Sequence, residues 1–118
     1  MKASEAITQA DALRPNTISD DQKILWLYEL EADLSELMMI WEAPLPGNYP
    51  TDDPDLLMPK GHDQIYVLYL MAMIDNGNEE TGLYANDFAN FNQAYLEARQ
   101  WWVRTHRPRK PTLITGLL

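Results

Sequence analysis

The chain contains no cysteine and only two histidines among its 118 residues. The lack of cysteine excludes disulfides, thiolate nucleophiles and thiolate metal sites. Neither His62 nor His106 lies at metal-ligand spacing from a second histidine or from a pair of carboxylates, and the sequence holds no glycine-rich phosphate loop or nucleophile elbow. The residues therefore give no reason to expect an enzyme, and we predict no cofactor.

The acidic residues near position 53 raise the question of a calcium loop. Asp52 and Asp55 do not supply ligands at alternating positions closed by a glutamate, and Pro54 interrupts the segment. We expect a solvated acidic loop between helices rather than a metal site.

Long apolar runs are also lacking. The longest, residues 65–74, has about half of the roughly 20 residues that span a bilayer. Residues 1–12 carry Glu5 and Asp11 where a signal peptide would be apolar. The sequence therefore predicts a protein that is cytoplasmic when made and does not interact with membranes.

Basic residues are scarce over most of the chain, and the net charge is −9. Residues 1–98 hold four basic residues and all 18 acidic ones, whereas residues 99–118 hold five basic residues and no acid. An acidic body repels a polyanion, so non-specific binding of DNA through a broad basic face is excluded. Two interpretations of the basic residues 99–118 remain open. Their cations could simply stabilise the negative end of a helix dipole, or the segment could dock on a partner.

Proline, glycine and capping residues divide the chain into helices. Residues 4–13 predict a short first helix. Ser19 and Gln22 form a capping-box pattern before a helical apolar repeat, which predicts a long helix over residues 19–42. Five prolines then exclude a helix or a central strand from residues 43–60. The apolar triplet 56–58 near the end of this loop requires burial.

Residues 62–76 form the least ordinary segment, because the apolar run 65–74 within it has no polar face. Its first half has strand propensity, but its second half and its length favour a helix, which we predict. A helix that is apolar all round must be covered on every side. We expect a chain with so few other helices to achieve this by self-association.

The last predicted helix opens at Asn78, taken as its cap, and runs to Thr105. Residues at alternating spacings of four and three predict a nearly all-aromatic buried seam, made of Tyr84, Phe88, Phe91, Tyr95, Ala98 and Trp102. The predicted fold is therefore all-α: a compact four-helix domain over residues 1–106, with a long proline-rich loop. Residues 107–118 are predicted to be an extended tail.

The residues assembled so far resemble a group of prophage-encoded proteins of Gram-positive bacteria, which are interpreted as head–tail connector, or adaptor, proteins of tailed bacteriophages. The resemblance covers roughly residues 10–110, and its motifs are aromatic and structural rather than catalytic. It rests on four segments: Pro15-Asn16 before Lys23-Ile24-x-Trp26-Leu27; Asp63-x-Ile65-Tyr66-x-x-Tyr69-Leu70-x-Ala72-x-Ile74-Asp75; Tyr84-x-Asn86-x(4)-Phe91-Asn92-x-Ala94-Tyr95; and Trp102-x-Arg104-Thr105-His106-Arg107-Pro108.

The resemblance implies a small helical subunit of the virion that assembles in the host cytoplasm. About a dozen copies would form a homo-oligomeric ring beneath the portal protein, at the head–tail junction. The ring would extend the DNA channel and present a surface to the next tail or stopper protein. DNA would be only passing cargo, and an acidic channel wall would let it slide by repelling its backbone.

Two sets of contact residues are predicted on this basis. The apolar third helix and the triplet before it give a subunit interface of Leu56, Leu57, Met58, Tyr66, Tyr69 and Met73. The basic and apolar end gives a surface that docks on the portal or a neighbour, made of Arg104, Arg107, Arg109, Lys110, Leu113, Ile114, Leu117 and Leu118. The alternatives are a terminal segment without a docking role and, for the whole chain, a small helical regulator or inhibitor of one host or phage protein.

Overall fold

Four helices build the part of the chain that the computed structural model describes, residues 1–38 and 53–106. They are α1 (Ala3–Leu13), α2 (Asp20–Leu37), α3 (Gln64–Gly77) and α4 (Thr81–Thr105). Helices hold 74 % of the described residues, against roughly a third in an average globular domain, so the predicted all-α class is confirmed. Residues 39–52 and the predicted tail, residues 107–118, lie outside the described residues.

Caps formed by side chains fix the starts of the first two helices. The Ser19 hydroxyl accepts a hydrogen bond from the Gln22 amide at 3.2 Å, as the sequence predicts. At α1 the cap comes from far along the chain, because the Asp53 carboxylate accepts from the Ser4 amide at 3.0 Å and from its hydroxyl at 2.6 Å. These hydrogen bonds lower the pKa of Asp53, so the end of the loop is tied to α1 through a charged acceptor.

Helix α3 lies at the centre of the fold and packs against each of the other three helices. Seven of its apolar side chains are buried, namely Ile65, Tyr66, Val67, Leu70, Met71, Ala72 and Ile74. The expectation that one chain could not cover such a helix is therefore wrong for most of its surface. Leu68, Tyr69 and Met73 remain partly exposed, so the uncovered part is a narrow strip.

Two helix boundaries differ by three residues or more from those that the sequence predicts. Helix α2 ends at Leu37 rather than at residue 42, and the rest of the predicted span lies outside the described residues. Asn78 does not open α4: its amide donates to the Ile74 carbonyl at 2.8 Å, so it closes α3 instead. Glu79 then adopts a left-handed backbone with φ of 59°, and the chain turns into α4 after Glu80.

Helix α4 packs on α3 and makes little contact with α1 or α2. Phe91 and Ala98 of its predicted seam are buried, whereas Tyr84, Phe88, Tyr95 and Trp102 are only half-buried. The seam therefore faces inward, but α3 alone is too narrow to cover it.

Candidate functional site

A groove opens between α2 and α4, because both helices pack on α3 with little contact between them. Tyr69 and Met73 of α3 form its floor. Phe88, Phe91 and Tyr95 of the α4 seam form one wall. Its volume is about 340 Å³. The residues that line it are Leu30, Asp33, Tyr69, Met73, Phe88, Phe91, Asn92 and Tyr95.

Four of the eight side chains that line the groove are aromatic, and their rings contact one another. The Phe91 ring lies 5.0 Å from that of Tyr69, 5.8 Å from that of Phe88 and 6.0 Å from that of Tyr95, measured between centroids. These are the tilted contacts that aromatic pairs prefer. Phe91 is buried beneath the other three, which remain accessible. The groove is thus lined mainly by aromatic and apolar side chains.

Three exposed carboxylates form an acid stripe along the α2 side of the groove: Glu29, Asp33 and Glu36. Their spacing of four and three residues places them on one line of the helix, where like charges repel each other. Burial raises the pKa of Tyr69, and the charges of Glu29 and Asp33 raise it further. The acid stripe therefore acts electrostatically on the groove floor.

The outer surface of α4 differs in charge from the acid stripe. Leu96, Arg99, Val103 and Arg104 form an α4 ridge on its C-terminal half, where two large apolar side chains face water: Leu96 is 45 % exposed and Val103 57 %. Together with Gln100 they line a shallow open depression of about 480 Å³. The described chain thus carries an acidic aromatic groove and a basic apolar ridge on separate surfaces.

The structure separates the six residues predicted to form a subunit interface. Leu56, Met58 and Tyr66 are buried in the chain's own core, so a neighbouring subunit cannot reach them, which corrects that part of the prediction. Leu56 and Met58 are buried because the apolar triplet closes over α2 and α3 in the same chain. Leu57, Tyr69 and Met73 stay partly exposed, and the last two line the groove.

Of the eight residues predicted to dock on the portal or a neighbour, only Arg104 is described. It is exposed on the last turn of α4. The other seven, Arg107, Arg109, Lys110, Leu113, Ile114, Leu117 and Leu118, lie outside the described residues, and their docking role stays a prediction.

A buried polar network explains why Tyr66 belongs to the core. Its hydroxyl donates to one carboxylate oxygen of Glu31 and accepts from the Met58 amide at 2.9 Å. The other oxygen of Glu31 accepts from the Leu57 amide at 2.9 Å. Burial raises the pKa of Glu31, and the two hydrogen bonds oppose that rise. The network fixes the end of the proline-rich loop to α2 and α3. Sequence reasoning missed it because its members are up to 35 residues apart.

A second network joins the ends of three helices. Arg14, which follows α1, lies 3.1 Å from Asp75 of α3 and 2.8 Å from Asp87 of α4. Both carboxylates are almost fully buried, at 1 % and 2 % exposure. Burial, together with the hydrogen bond and the charge of Asp87, raises the pKa of Asp75 to about 6, although Arg14 opposes the shift. A substrate cannot reach these acids, so we interpret the trio as a structural clamp and not as an acid–base pair.

The two histidines make aromatic contacts. The His62 ring lies 4.7 Å from that of Trp101, and His106 stacks on Trp102 with 3.3 Å between ring centroids. Over residues 1–38 and 53–106, no three His, Cys, Asp or Glu side chains come together in a way that could hold a metal ion. None of the helices described here is long and apolar enough to cross a membrane.

Several residues that carry the resemblance to connector proteins have structural roles here. Asn16 accepts from the Ile18 amide at 3.0 Å, and the buried Lys23 pairs with Asp11 at 2.7 Å. Tyr66 and Asp75 anchor the two buried networks. Comparison with family models, with curated proteins and with solved structures gives no match. The geometry of the groove and the chain's own residues are therefore the grounds for a functional proposal.

Proposed function

We propose that this chain is a head–tail connector subunit of a tailed bacteriophage: a non-enzymatic virion protein that forms a ring below the portal. The observation that carries the proposal is the groove between α2 and α4. It leaves Tyr69 and Met73 accessible on the central helix, whose other apolar side chains are buried apart from the partly exposed Leu68.

A groove of this kind favours a role in assembly over one in catalysis. Aromatic rings supply most of its surface, and aromatic side chains are enriched at the centres of protein interfaces. Asp33 is its only ionisable carboxylate, and it lies exposed at the edge without a charged partner among the described residues. Such a site offers a partner apolar area and a charged rim, which suits binding of another protein.

The charge of the chain supports passage of DNA rather than its binding. Residues 1–98 hold all 18 acids and only four basic residues. A wall of such subunits around a channel would repel the phosphate backbone, so the duplex would slide without adhering. In the proposed ring the partners are neighbouring copies, the portal protein above and a tail or stopper protein below.

The proposal is tested by co-expressing the chain with the portal protein of the same genome and measuring the mass of the complex by light scattering. A portal ring carrying about a dozen copies of the chain is the expected result. A small fixed complex with a different host or phage protein, and no binding to the portal, would favour the regulator alternative and contradict the proposal.

A further inference from the structure

We infer that the groove of one copy receives the α4 ridge of the next copy, so that subunits join head to tail. This inference rests on the proposed ring and names the surfaces that would build it. The occupant of the groove is thus a second copy of this chain.

The two surfaces are complementary in charge. Glu29, Asp33 and Glu36 border the groove, and Arg99 and Arg104 border the ridge. Over residues 1–38 and 53–106, none of these five side chains forms a salt bridge within its own chain. Opposite charges without a salt-bridge partner among the described residues can pair between copies, and they steer the encounter.

The surfaces are also complementary in polarity. Leu96 and Val103 project from the ridge seven residues apart, on one line of α4, and both are about half exposed. The groove is a concave apolar surface floored by Tyr69 and Met73. Packing Leu96 and Val103 against Tyr69 and Met73 would remove apolar area from water on both copies.

In the proposed contact each copy offers its ridge to one neighbour and its groove to the other, so the contact is heterologous. A heterologous contact leaves a free ridge on one copy and a free groove on the other, and it repeats until a ring closes or a filament grows. A two-fold dimer would instead pair the groove and ridge of both copies reciprocally, or one surface with itself, and would stop at two subunits. This difference makes the inference testable with the chain alone.

The absence of cysteine allows a clean cross-linking experiment. One protein carries Glu36→Cys in the acid stripe, a second carries Val103→Cys in the ridge, and a third carries both. Oxidation at high protein concentration should give a covalent dimer only when the two single variants are mixed. The doubly substituted protein should give a ladder of multiples. Ala12→Cys, at an exposed position on α1, replaces either member as the control and should give no dimer above background.

Charge substitutions then test the electrostatic part of the inference. Asp33→Lys in the Glu36→Cys protein should slow cross-linking by about tenfold, because like charges would face each other. Arg104→Glu in the Val103→Cys protein should restore the rate. Arg104 is chosen because Arg99 also acts on Tyr95 of its own chain. Asp21→Lys, the same charge change at an exposed position in the first turn of α2, is the matched control and should have little effect.

Two results would overturn the inference. Dimers formed by either single-cysteine protein on its own, or a doubly substituted protein that stops at the dimer, would indicate a two-fold contact. An absence of dimers in the mixture would exclude the groove–ridge contact. If the mixture of the two single-cysteine proteins gives no dimer while the unmodified chain still assembles on the portal, the groove–ridge interface is wrong and the proposed function stands. If the ladder forms but no portal binding occurs, the proposed function fails instead.

Discussion

Arg14 shows how one side chain holds three helices together. Its guanidinium contacts two buried carboxylates that come from the end of α3 and the first turns of α4. One cation cannot neutralise two acids, so the site keeps an excess negative charge unless one acid is protonated. Burial and Asp87 act on Asp75, whose pKa rises to about 6. The stability of the junction between these helices should therefore depend on pH.

Replacing Arg14 should destabilise the fold strongly. Arg14→Ala leaves two buried carboxylates without their cation, which costs about 3–5 kcal/mol in comparable buried pairs. Chemical denaturation measures the loss in the free energy of unfolding. Arg104→Ala, which removes an exposed arginine from the ridge, is the matched control and should change it by less than about 0.5 kcal/mol. Equal effects of the two substitutions would refute the clamp.

Asp75 should give the stability a defined pH dependence. Its pKa is higher in the folded chain than the model-peptide value of 3.8, so the native state binds this proton more tightly than the unfolded state does. The stabilisation is therefore fully present below about pH 4 and is lost as the pH rises through about 6. The loss is up to about 3 kcal/mol, from about 1.4 kcal/mol per pKa unit.

Asp75→Asn isolates this effect, because an amide cannot ionise. The free energy of unfolding of the unmodified chain minus that of the variant should fall between pH 4 and pH 7, as measured by denaturation at each pH. A difference that stays constant over this range, or rises, would contradict the raised pKa of Asp75.

The helices follow largely from local sequence signals. Ser19 as a cap, the apolar repeat after it and the proline and glycine breaks gave the order and type of all four described helices. The prediction that Asn78 caps the start of α4 was wrong, because asparagine suits both the start and the end of a helix. Here the Ile74 carbonyl accepts the hydrogen of the Asn78 backbone amide, so Asn78 ends α3. Local signals carry no information on partners far along the chain. The Asp53 cap, Glu31 with Tyr66 and the Arg14 clamp therefore could not be predicted from them.

The groove was not predicted from the sequence, and the reason is geometric. The predicted subunit interface included Tyr69 and Met73, which line the groove, but the apolar pattern of α3 could not tell these residues from the buried Tyr66. All of them are apolar or aromatic, and only the placement of α2 and α4 decides which are covered. The acid stripe and the α4 ridge also went unnoticed, since exposed charges are ordinary on a helix.

Phe91 is the only aromatic ring of α4 that is buried, and it packs against Tyr69 of α3. Phe91 is 7 % exposed and touches three other aromatic rings, so Phe91→Ala should cost roughly 3–5 kcal/mol of the free energy of unfolding. Phe88 is half-buried beside it, and Phe88→Ala should cost less than half as much. Thermal and chemical unfolding measure both. An unchanged stability for Phe91→Ala would show that α4 is not held by this seam.

At the scale of the whole molecule, the chain is polarised between an acidic groove and a basic ridge. Tyr69→Glu places a charge on the groove floor beside the acid stripe. The residue is partly exposed, so the variant should still fold. Assembly with the portal should fall by at least about tenfold, because the contact would bury a carboxylate against the apolar side chains of the neighbour's ridge, and desolvating a charge costs several kcal/mol. Leu13→Glu, at an exposed apolar position that ends α1, should leave assembly unchanged. Circular dichroism and the mass of the complex separate folding from assembly, and normal assembly of a folded Tyr69→Glu variant would contradict a role for the groove.

The position of this chain on the portal is the most direct test of the connector proposal. Electron cryo-microscopy of the portal bound to the full chain should reveal a closed ring of copies at the tail-facing end, with a continuous channel through portal and ring. In that ring the groove of each subunit should be filled by α4 of its neighbour. A single bound copy, or copies attached at the side of the portal with no channel between them, would contradict the connector function.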